Sequence, residues 1–355
     1  MNRRLIVIFA LCMVLAVAVA HAGTLNLPEG ITVIEAETFR GDISLDEVII
    51  PEGVTKIGEY AFWGCDLSYV VLPSTLTEIA DNAFDYSLDL TFETTKNTYA
   101  YYWVLHHTIP ESWFETELNE DNTCSITHYL GPEECRSDLL LPETIKGVEV
   151  SAIAGYAFYY NSKLTGELVL PNGVEEIGTY AFVGCGFTGD LYLPVSLGRV
   201  GRYAFSSCSG LTGITIAGEL NAWGDGTFQE CEKLESVDVS GENETIPDYT
   251  FFGCIRLKTV TLGKGITRIG PDAFGGCRSL EEIELPEGLA TIESGAFAEC
   301  SALKKVTVPA SVTAINEHAF DGCDQLTLYV TENSYAKQFA EDNNIPFVVI
   351  EPAAE

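Results

Sequence analysis

Apolar residues recur with a period of 23 residues through the second half of the chain, and this period predicts its structural elements. The phenylalanines that mark the period are Phe182, Phe205, Phe228, Phe251, Phe274, Phe297 and Phe320, each followed three residues later by a cysteine. Within one unit, the alternating Ile283 and Leu285 predict a short strand. The Pro286-Glu287-Gly288 that follows predicts a turn. The Gly-x-x-Ala-Phe stretch should close the coil with a bend or a single helical turn.

No single unit can bury its own apolar residues, so successive units must stack on one another. Stacking places the strands in parallel about 4.8 Å apart and sets each phenylalanine on its copies above and below. Looser copies at Phe39, Phe62, Phe84 and Phe158 bring the total to eleven. The pattern therefore predicts a solenoid.

The copies form two blocks, because similar tails follow Phe84 and Phe320. Ser334–Ala340 precedes Ile345-Pro346, and Thr98–Val104 precedes Ile109-Pro110. A last strand, a helix and an extended segment would cap the apolar end of a stack. The alternative is one continuous solenoid with an insertion of about 40 residues.

The duplicated tail favours two arrays, and the residues between them predict a new N-terminal cap. The predicted boundaries are a first array at 23–111 and a second at 112–355, with caps at 112–150 and 326–350. Within the N-terminal cap, residues 114–118 and 124–129 predict a hairpin around Asn119–Asn122, and Leu139–Leu141 predicts the first strand of the stack.

The repeat resembles a known family. The pattern Leu-x-x-Val-x-Leu/Val-Pro-x-x-Val-x-x-Ile-x-x-x-Ala-Phe-x-x-Cys, as in Leu303–Cys323, is similar to the BspA-type (Treponema-type) bacterial leucine-rich repeat. The resemblance implies a right-handed superhelix with a β-α or β-3₁₀ repeat and a parallel sheet on its concave face. It also implies a secreted or surface-associated protein, since some members bind host extracellular-matrix proteins or other cells.

The N-terminus predicts a cleaved signal peptide at residues 1–22. Met1–Arg4 is basic, Leu5–Val19 is apolar, and Ala20 and Ala22 supply the small residues before the cleavage site. The apolar run is shorter than the roughly 20 residues that span a bilayer. We therefore expect an extracellular protein with no membrane span after cleavage.

The charge of the chain is strongly acidic, with 19 Lys and Arg against 52 Asp and Glu. Loss of Arg3 and Arg4 with the signal peptide leaves a net charge of −35. Such a charge repels nucleic acids and anionic membrane surfaces, so we expect no nucleic-acid partner. It favours basic partners, or it serves only to keep an apolar-rich protein soluble.

The seven periodic cysteines predict a column of small buried side chains. Equivalent Cβ atoms in stacked coils lie about one strand spacing apart, whereas a disulfide requires about 3.8 Å. A linear column also does not converge tetrahedrally on zinc. Cys124 and Cys135 break the period and could form a disulfide.

No motif for catalysis or cofactor binding is present in the sequence. Nucleophile-elbow, zinc-protease, phosphate-loop and dinucleotide signatures are all missing. We therefore predict a protein that is not an enzyme and that uses no cofactor or metal.

The outward positions of the predicted strands form the candidate binding surface, named here the strand-face stripe. Its residues are Asp190, Tyr192, Thr215, Ser236, Asp238, Thr259, Thr261, Glu282, Glu284, Lys305 and Thr307. Tyr192 is its only aromatic residue, Trp223 should lie in the core, and Trp63 is a second exposed candidate. The alternative is a solvated face without a ligand.

These features favour adhesion to a host extracellular-matrix or cell-surface protein as the function. A carbohydrate- or cell-wall-binding protein and a purely structural spacer are the alternatives.

Overall fold

The structure, a computed structural model, describes residues 5–7, 17–21, 23–28, 30–85, 90–95, 98–108, 111–131 and 138–351. It divides into two compact units, residues 1–110 and 111–355. Both units are parallel-sheet solenoids, which confirms the predicted leucine-rich repeat fold.

Unit 1, residues 1–110, is a stack of coils in which strands form two columns. The first column contains β1 Leu5–Val7, β2 Val17–His21, β3 Thr24–Asn26, β5 Glu47–Ile49, β7 Tyr69–Val71 and β9 Thr91–Glu93. The second contains β4 Val33–Ile34, β6 Lys56–Ile57 and β8 Glu78–Ile79. Pairing is parallel except among β1, β2 and β3. Helix α1, Tyr99–Thr108, follows the last strand.

Unit 2, residues 111–355, repeats the two columns after an N-terminal hairpin. A 3₁₀ helix at Glu111–Trp113 leads into β10 Phe114–Leu118 and β11 Cys124–Tyr129. The first column contains β12 Leu139–Leu140, β15 Leu168–Val169, β17 Thr188–Leu193, β19 Gly210–Ile216, β21 Ser236–Val239, β23 Thr259–Leu262, β25 Glu282–Glu284, β27 Lys305–Val308, β29 Thr327–Thr331 and β30 Phe347–Ile350.

The second column of unit 2 consists mostly of two-residue strands. It contains β14 Val148–Ile153, β16 Glu176–Ile177, β18 Arg199–Val200, β20 Ala222–Trp223, β22 Thr245–Ile246, β24 Arg268–Ile269, β26 Thr291–Ile292 and β28 Ala314–Ile315, with β13 Thr144–Ile145 beside β14. Strand β11 pairs in parallel with β14, so the hairpin joins this column. This column is not predicted from the sequence, because two residues are too short to show strand alternation.

A ladder of stacked phenylalanine rings runs through the core of unit 2, as the 23-residue period predicts. From Phe158 to Phe320, neighbouring rings lie 4.8–5.7 Å apart between centroids and within 19° of parallel. The same ladder joins Phe39, Phe62 and Phe84 in unit 1. Offset stacking adds about 0.5–1.5 kcal/mol per pair to the free energy of area burial.

The segment around each ladder phenylalanine, typified by Gly201–Cys208 and named here the Phe–Cys corner, closes the coil with overlapping hydrogen-bonded turns and no helix. In this corner the Phe205 amide donates to the Thr227 carbonyl of the next coil at 2.8 Å, and Phe274 donates in the same way to Ala296. Neighbouring coils also approach closely at Gly178, where a Cβ would lie 2.3 Å from the amide nitrogen of Gly155 in the preceding coil. The corners therefore add main-chain bonds between coils outside the sheets.

The ends of the unit 2 stack are covered by aromatic residues. At the N-terminal end Tyr129 stacks on Phe158 at 5.4 Å, on the strand of the hairpin that the sequence predicts. At the C-terminal end helix α2, Tyr335–Asp342, places Phe339 6.4 Å from Phe320. The Ser334 side chain accepts from the Lys337 amide and caps this helix.

Removing one ring from the ladder tests how much the ladder contributes to stability. We expect Phe228→Ala to lower the free energy of unfolding by about 3–5 kcal/mol, because it leaves a cavity between Phe205 and Phe251. Phe320→Ala is the matched control at the end of the ladder, and its loss should be smaller. Chemical denaturation of both variants measures the difference. A Phe228→Ala loss below about 1 kcal/mol would contradict a stabilising ladder.

Candidate binding surfaces

The strand-face stripe lies on the outer face of the first column, and all eleven of its side chains are exposed or half-buried. Strand register aligns Tyr192, Thr215, Asp238 and Thr261 in one row across β17, β19, β21 and β23. A neighbouring row joins Asp190, Gly213, Ser236 and Thr259.

The stripe consists of two parts, because β23 and β25 belong to separate sheets. In the second part, Glu282 pairs with Lys305 and Glu284 with Thr307. The Lys305 ammonium lies 4.0 Å from the Glu282 carboxylate and 5.1 Å from the centroid of the Tyr329 ring. Tyr329 continues the Glu284 row on β29, and the sequence analysis did not include it.

Two tryptophans depart from their expected surroundings. Trp63 is half-buried, with the Arg40 guanidinium 4.8 Å from its ring centroid, so it is less open than predicted. Trp223 is also partly exposed, although its Nε1 is buried without a hydrogen-bond partner. Neither side chain belongs to the stripe.

The seven periodic cysteines are free and buried, as predicted. Each thiol donates to a carbonyl of the preceding coil, as Cys208 does to Phe182 at 3.1 Å and Cys300 to Phe274 at 3.1 Å. The sequence analysis did not predict this bond. Burial raises the pKa of the Cys185 thiol to about 12 and that of Cys254 well above its usual range. Such thiols stay protonated and unreactive.

The predicted disulfide between Cys124 and Cys135 involves a residue outside the described ranges. Cys124 itself is buried on β11, and its thiol donates to the Val148 carbonyl at 3.8 Å. The disulfide therefore stays a prediction.

An exposed cluster of tyrosines, named here the tyrosine ledge, lies at the first Phe–Cys corners of unit 2. It consists of Tyr156, Tyr159, Tyr160, Tyr180 and Tyr203. Tyr156, Tyr159 and Tyr160 are 54%, 47% and 62% exposed. The ledge is absent from the contact residues predicted from the sequence, because those lie only on strands. The signal was the aromatic residue two positions before Phe158, Phe182 and Phe205.

A groove of about 660 Å³ lies over the second column beside the ledge. Its floor includes Ser151, Ala152 and Gly178, and the hairpin turn at Asn119–Asp121 lines it as well. Four carboxylates line it, namely Glu120, Asp121, Glu175 and Glu176, together with the single cation Arg199.

Metal-binding and membrane-spanning features are two other kinds of site. Among the described residues, no group of three or more His, Cys, Asp or Glu side chains is placed to hold a metal ion. Within the same part of the chain, no helix is long and apolar enough to cross a membrane.

Comparisons with known proteins agree with this fold. The sequence matches the family described as BspA type Leucine rich repeat region in six copies, over residues 20–105, 151–280 and 244–342. The structure is similar to a leucine-rich repeat protein from Bacteroides ovatus, with a TM-score of 0.54 and 25% identity over 92% of this chain and 77% of that one.

Two further structures are similar at lower scores. The T. pallidum leucine rich repeat protein is 26% identical, with a TM-score of 0.46 over 69% of this chain and 99% of that one. A leucine rich cell surface protein from Faecalibacterium prausnitzii is 25% identical, with a TM-score of 0.37 over 90% and 87%. No curated protein matches the sequence.

The raised thiol pKa values predict a loss of stability at alkaline pH. Below about pH 9 a thiol is neutral in both the folded and the unfolded chain, and above that only the unfolded chain ionises. Between about pH 9 and the Cys185 pKa of about 12, this thiol should lower the free energy of unfolding by about 1.4 kcal/mol per pH unit.

Denaturation of Cys185→Ala from neutral to alkaline pH measures this contribution. All other side chains are the same in both proteins, so only the difference in slope reports the thiol. We expect the variant to lose stability less steeply above about pH 9. Parallel curves would contradict a raised Cys185 pKa.

Proposed function

We propose that this chain, which belongs to the BspA-type leucine-rich repeat family, is secreted and binds a host extracellular-matrix or cell-surface protein through the strand-face stripe. Protein binding is the general role of this repeat fold. The proposal goes beyond this general role in naming a host partner, an adhesive role and secretion.

The observation that carries the proposal is the alignment of exposed polar side chains over a rigid core. In the row Tyr192, Thr215, Asp238 and Thr261, each backbone position is fixed by parallel pairing to its neighbours. A preorganised surface loses little entropy on binding, so its contacts translate more fully into affinity. Tyr192, which is 51% exposed, offers the aromatic anchor that protein interfaces favour.

Secretion is supported by the N-terminal sequence. A basic start, an apolar run and the small residues Ala20 and Ala22 fit signal-peptide cleavage. Cleavage after Ala22 would remove β1 and β2 and leave β3, at Thr24–Asn26, as the first strand. N-terminal sequencing of the secreted protein should then begin at Gly23.

The proposal includes two separately folding arrays, residues 23–111 and 112–355. The stack of unit 1 is followed by helix α1, and that of unit 2 begins with the β10–β11 hairpin. A terminal element that covers the last coil is what an independent repeat array requires.

The test is a binding screen of residues 23–355 against matrix proteins and glycans, measured by biolayer interferometry. Saturable binding to at least one matrix or cell-surface protein is expected. The variant Glu282→Lys/Glu284→Lys places positive charges on the stripe. Their repulsion of basic groups on the partner should weaken that binding about tenfold. The control Glu242→Lys/Glu287→Lys changes the net charge equally and should bind as the unchanged protein does.

Two outcomes would contradict this function. A complete lack of saturable binding to matrix proteins, cell-surface proteins and glycans would leave only a structural spacer. Retention on glycans that Tyr192→Ala abolishes, without binding to any protein, would establish carbohydrate binding instead.

A further inference from the structure

We propose that the tyrosine ledge and the adjacent groove bind an extended, arginine- and lysine-rich segment of a partner protein. The surface goes beyond the proposed function, because it lies on the Phe–Cys corners and the second column of strands. The stripe occupies the first column.

The exposure of the ledge is the first observation behind this proposal. Tyr159 meets Tyr156 and Tyr160 edge to face at 5.3 and 4.6 Å, and Tyr156 stacks on Tyr180 at 5.2 Å. Tyrosine contributes a large contact area at low entropic cost, so clusters of exposed tyrosines characterise binding surfaces. Contiguous exposed aromatic surface of this kind is uncommon where nothing binds.

The backbone beneath the ledge is the second observation. Tyr156, Tyr180 and Tyr203 have φ of 63°, 59° and 55°, in the left-handed region that costs a side chain about 1–2 kcal/mol. Gly226 and Gly295 occupy the same position in later coils without that cost. Glu37, Tyr60, Tyr249 and Asp272 adopt the same conformation at this position in other coils. A tyrosine here therefore costs folding stability that a glycine would spare, which is consistent with a role in binding at the ledge.

The Arg40 corner of unit 1 indicates which chemistry suits such rings. There Tyr60 and Trp63 lie two residues before and one residue after Phe62, as Tyr156 and Tyr159 do around Phe158. The Arg40 guanidinium from the preceding coil lies 5.2 Å from the Tyr60 centroid and 4.8 Å from that of Trp63. Among the described residues, no Lys or Arg lies over the rings of Tyr156 or Tyr159, so their faces are open to a cation from a partner.

The groove also favours cations, because most of the charged side chains that line it are carboxylates. Gly155 and Gly178 line the groove and lie one residue before Tyr156 and two residues before Tyr180, so the two surfaces are continuous along the chain. Glu120, Asp121, Glu175 and Glu176 outnumber Arg199, whose Nε is already 3.8 Å from the Glu176 carboxylate. Strand β11 and strands β14, β16 and β18 cross the floor, a span of about 14 Å that fits about four extended residues.

The test measures fluorescence anisotropy of labelled oligo-arginine with residues 23–355 and three variants. The ledge variant replaces the tyrosines by residues that other coils carry at the same positions: Tyr156→Gly, Tyr159→Ala and Tyr160→Gly. The groove variant is Glu120→Gln, Asp121→Asn, Glu175→Gln and Glu176→Gln. The matched control, with the same change in charge, is Glu232→Gln, Glu242→Gln, Glu287→Gln and Asp324→Asn.

We expect the ledge and groove variants each to bind the probe about tenfold more weakly, and the matched control to bind as the unchanged protein does. Rising ionic strength should weaken binding by the ledge variant and the unchanged protein alike, since their carboxylates are the same. Circular dichroism and thermal unfolding check that each variant is folded. The stripe variant Glu282→Lys/Glu284→Lys should still bind, which separates this proposal from the proposed function.

Three results would overturn the proposal. Equal weakening by the groove variant and the matched control would reduce the effect to net charge. Unchanged binding by the ledge variant would remove the tyrosines from the site. Glycan binding that depends on Tyr156 and Tyr159, without oligo-arginine binding, would assign the surface to carbohydrate.

Discussion

The Phe–Cys corner joins each coil to its neighbours at a place where no sheet exists. The phenylalanine amide donates to a carbonyl of the next coil, and its own carbonyl accepts a thiol from that coil, as at Phe182 and Cys208. The same carbonyl also accepts the Cys185 amide within its own coil at 3.1 Å. Buried main-chain groups are costly when unpaired, so these bonds allow the corner to be buried. The ring ladder then excludes water from them.

This arrangement explains why the thiols stay reduced in a protein expected outside the cell. A disulfide would take two cysteines away from their carbonyl acceptors, as with Cys254 and its bond to Phe228 at 3.3 Å. Burial of Cys254 also raises the pKa of its thiol, so that the thiolate, which is the reactive form, stays unpopulated there. The column of cysteines is therefore a hydrogen-bonded part of the core that needs no disulfides.

Much of the fold could be predicted from the sequence because its core repeats with one period. The Phe and Cys columns, the first column of strands and the β10–β11 hairpin all follow from spacing. The second column could not be predicted, since one buried isoleucine such as Ile292 fits a turn as well as a strand. Among candidate contacts, the strand face followed from alternation. The tyrosine ledge could not be predicted in this way, because its residues become neighbours only when the corners stack.

A fixed core leaves the outer positions of each coil free to vary, and binding surfaces arise where those positions differ from coil to coil. The position two residues before the ladder phenylalanine is tyrosine at Tyr180 and Tyr203, glycine at Gly226, tyrosine again at Tyr249 and aspartate at Asp272. The Tyr203 ring lies over Gly226, where a Cβ would come within 2.3 Å of it, so the stack of rings ends there. The repeat thus supports a localised aromatic surface without altering the core.

Amide hydrogen exchange resolved to single residues tests the Phe–Cys corner most directly. If the corner joins the coils, the amides of Phe205, Phe228, Phe251 and Phe274 exchange as slowly as those of the first-column strands, with protection recurring every 23 residues. Exchange at those amides as fast as in surface turns would show that the sheets alone hold the stack.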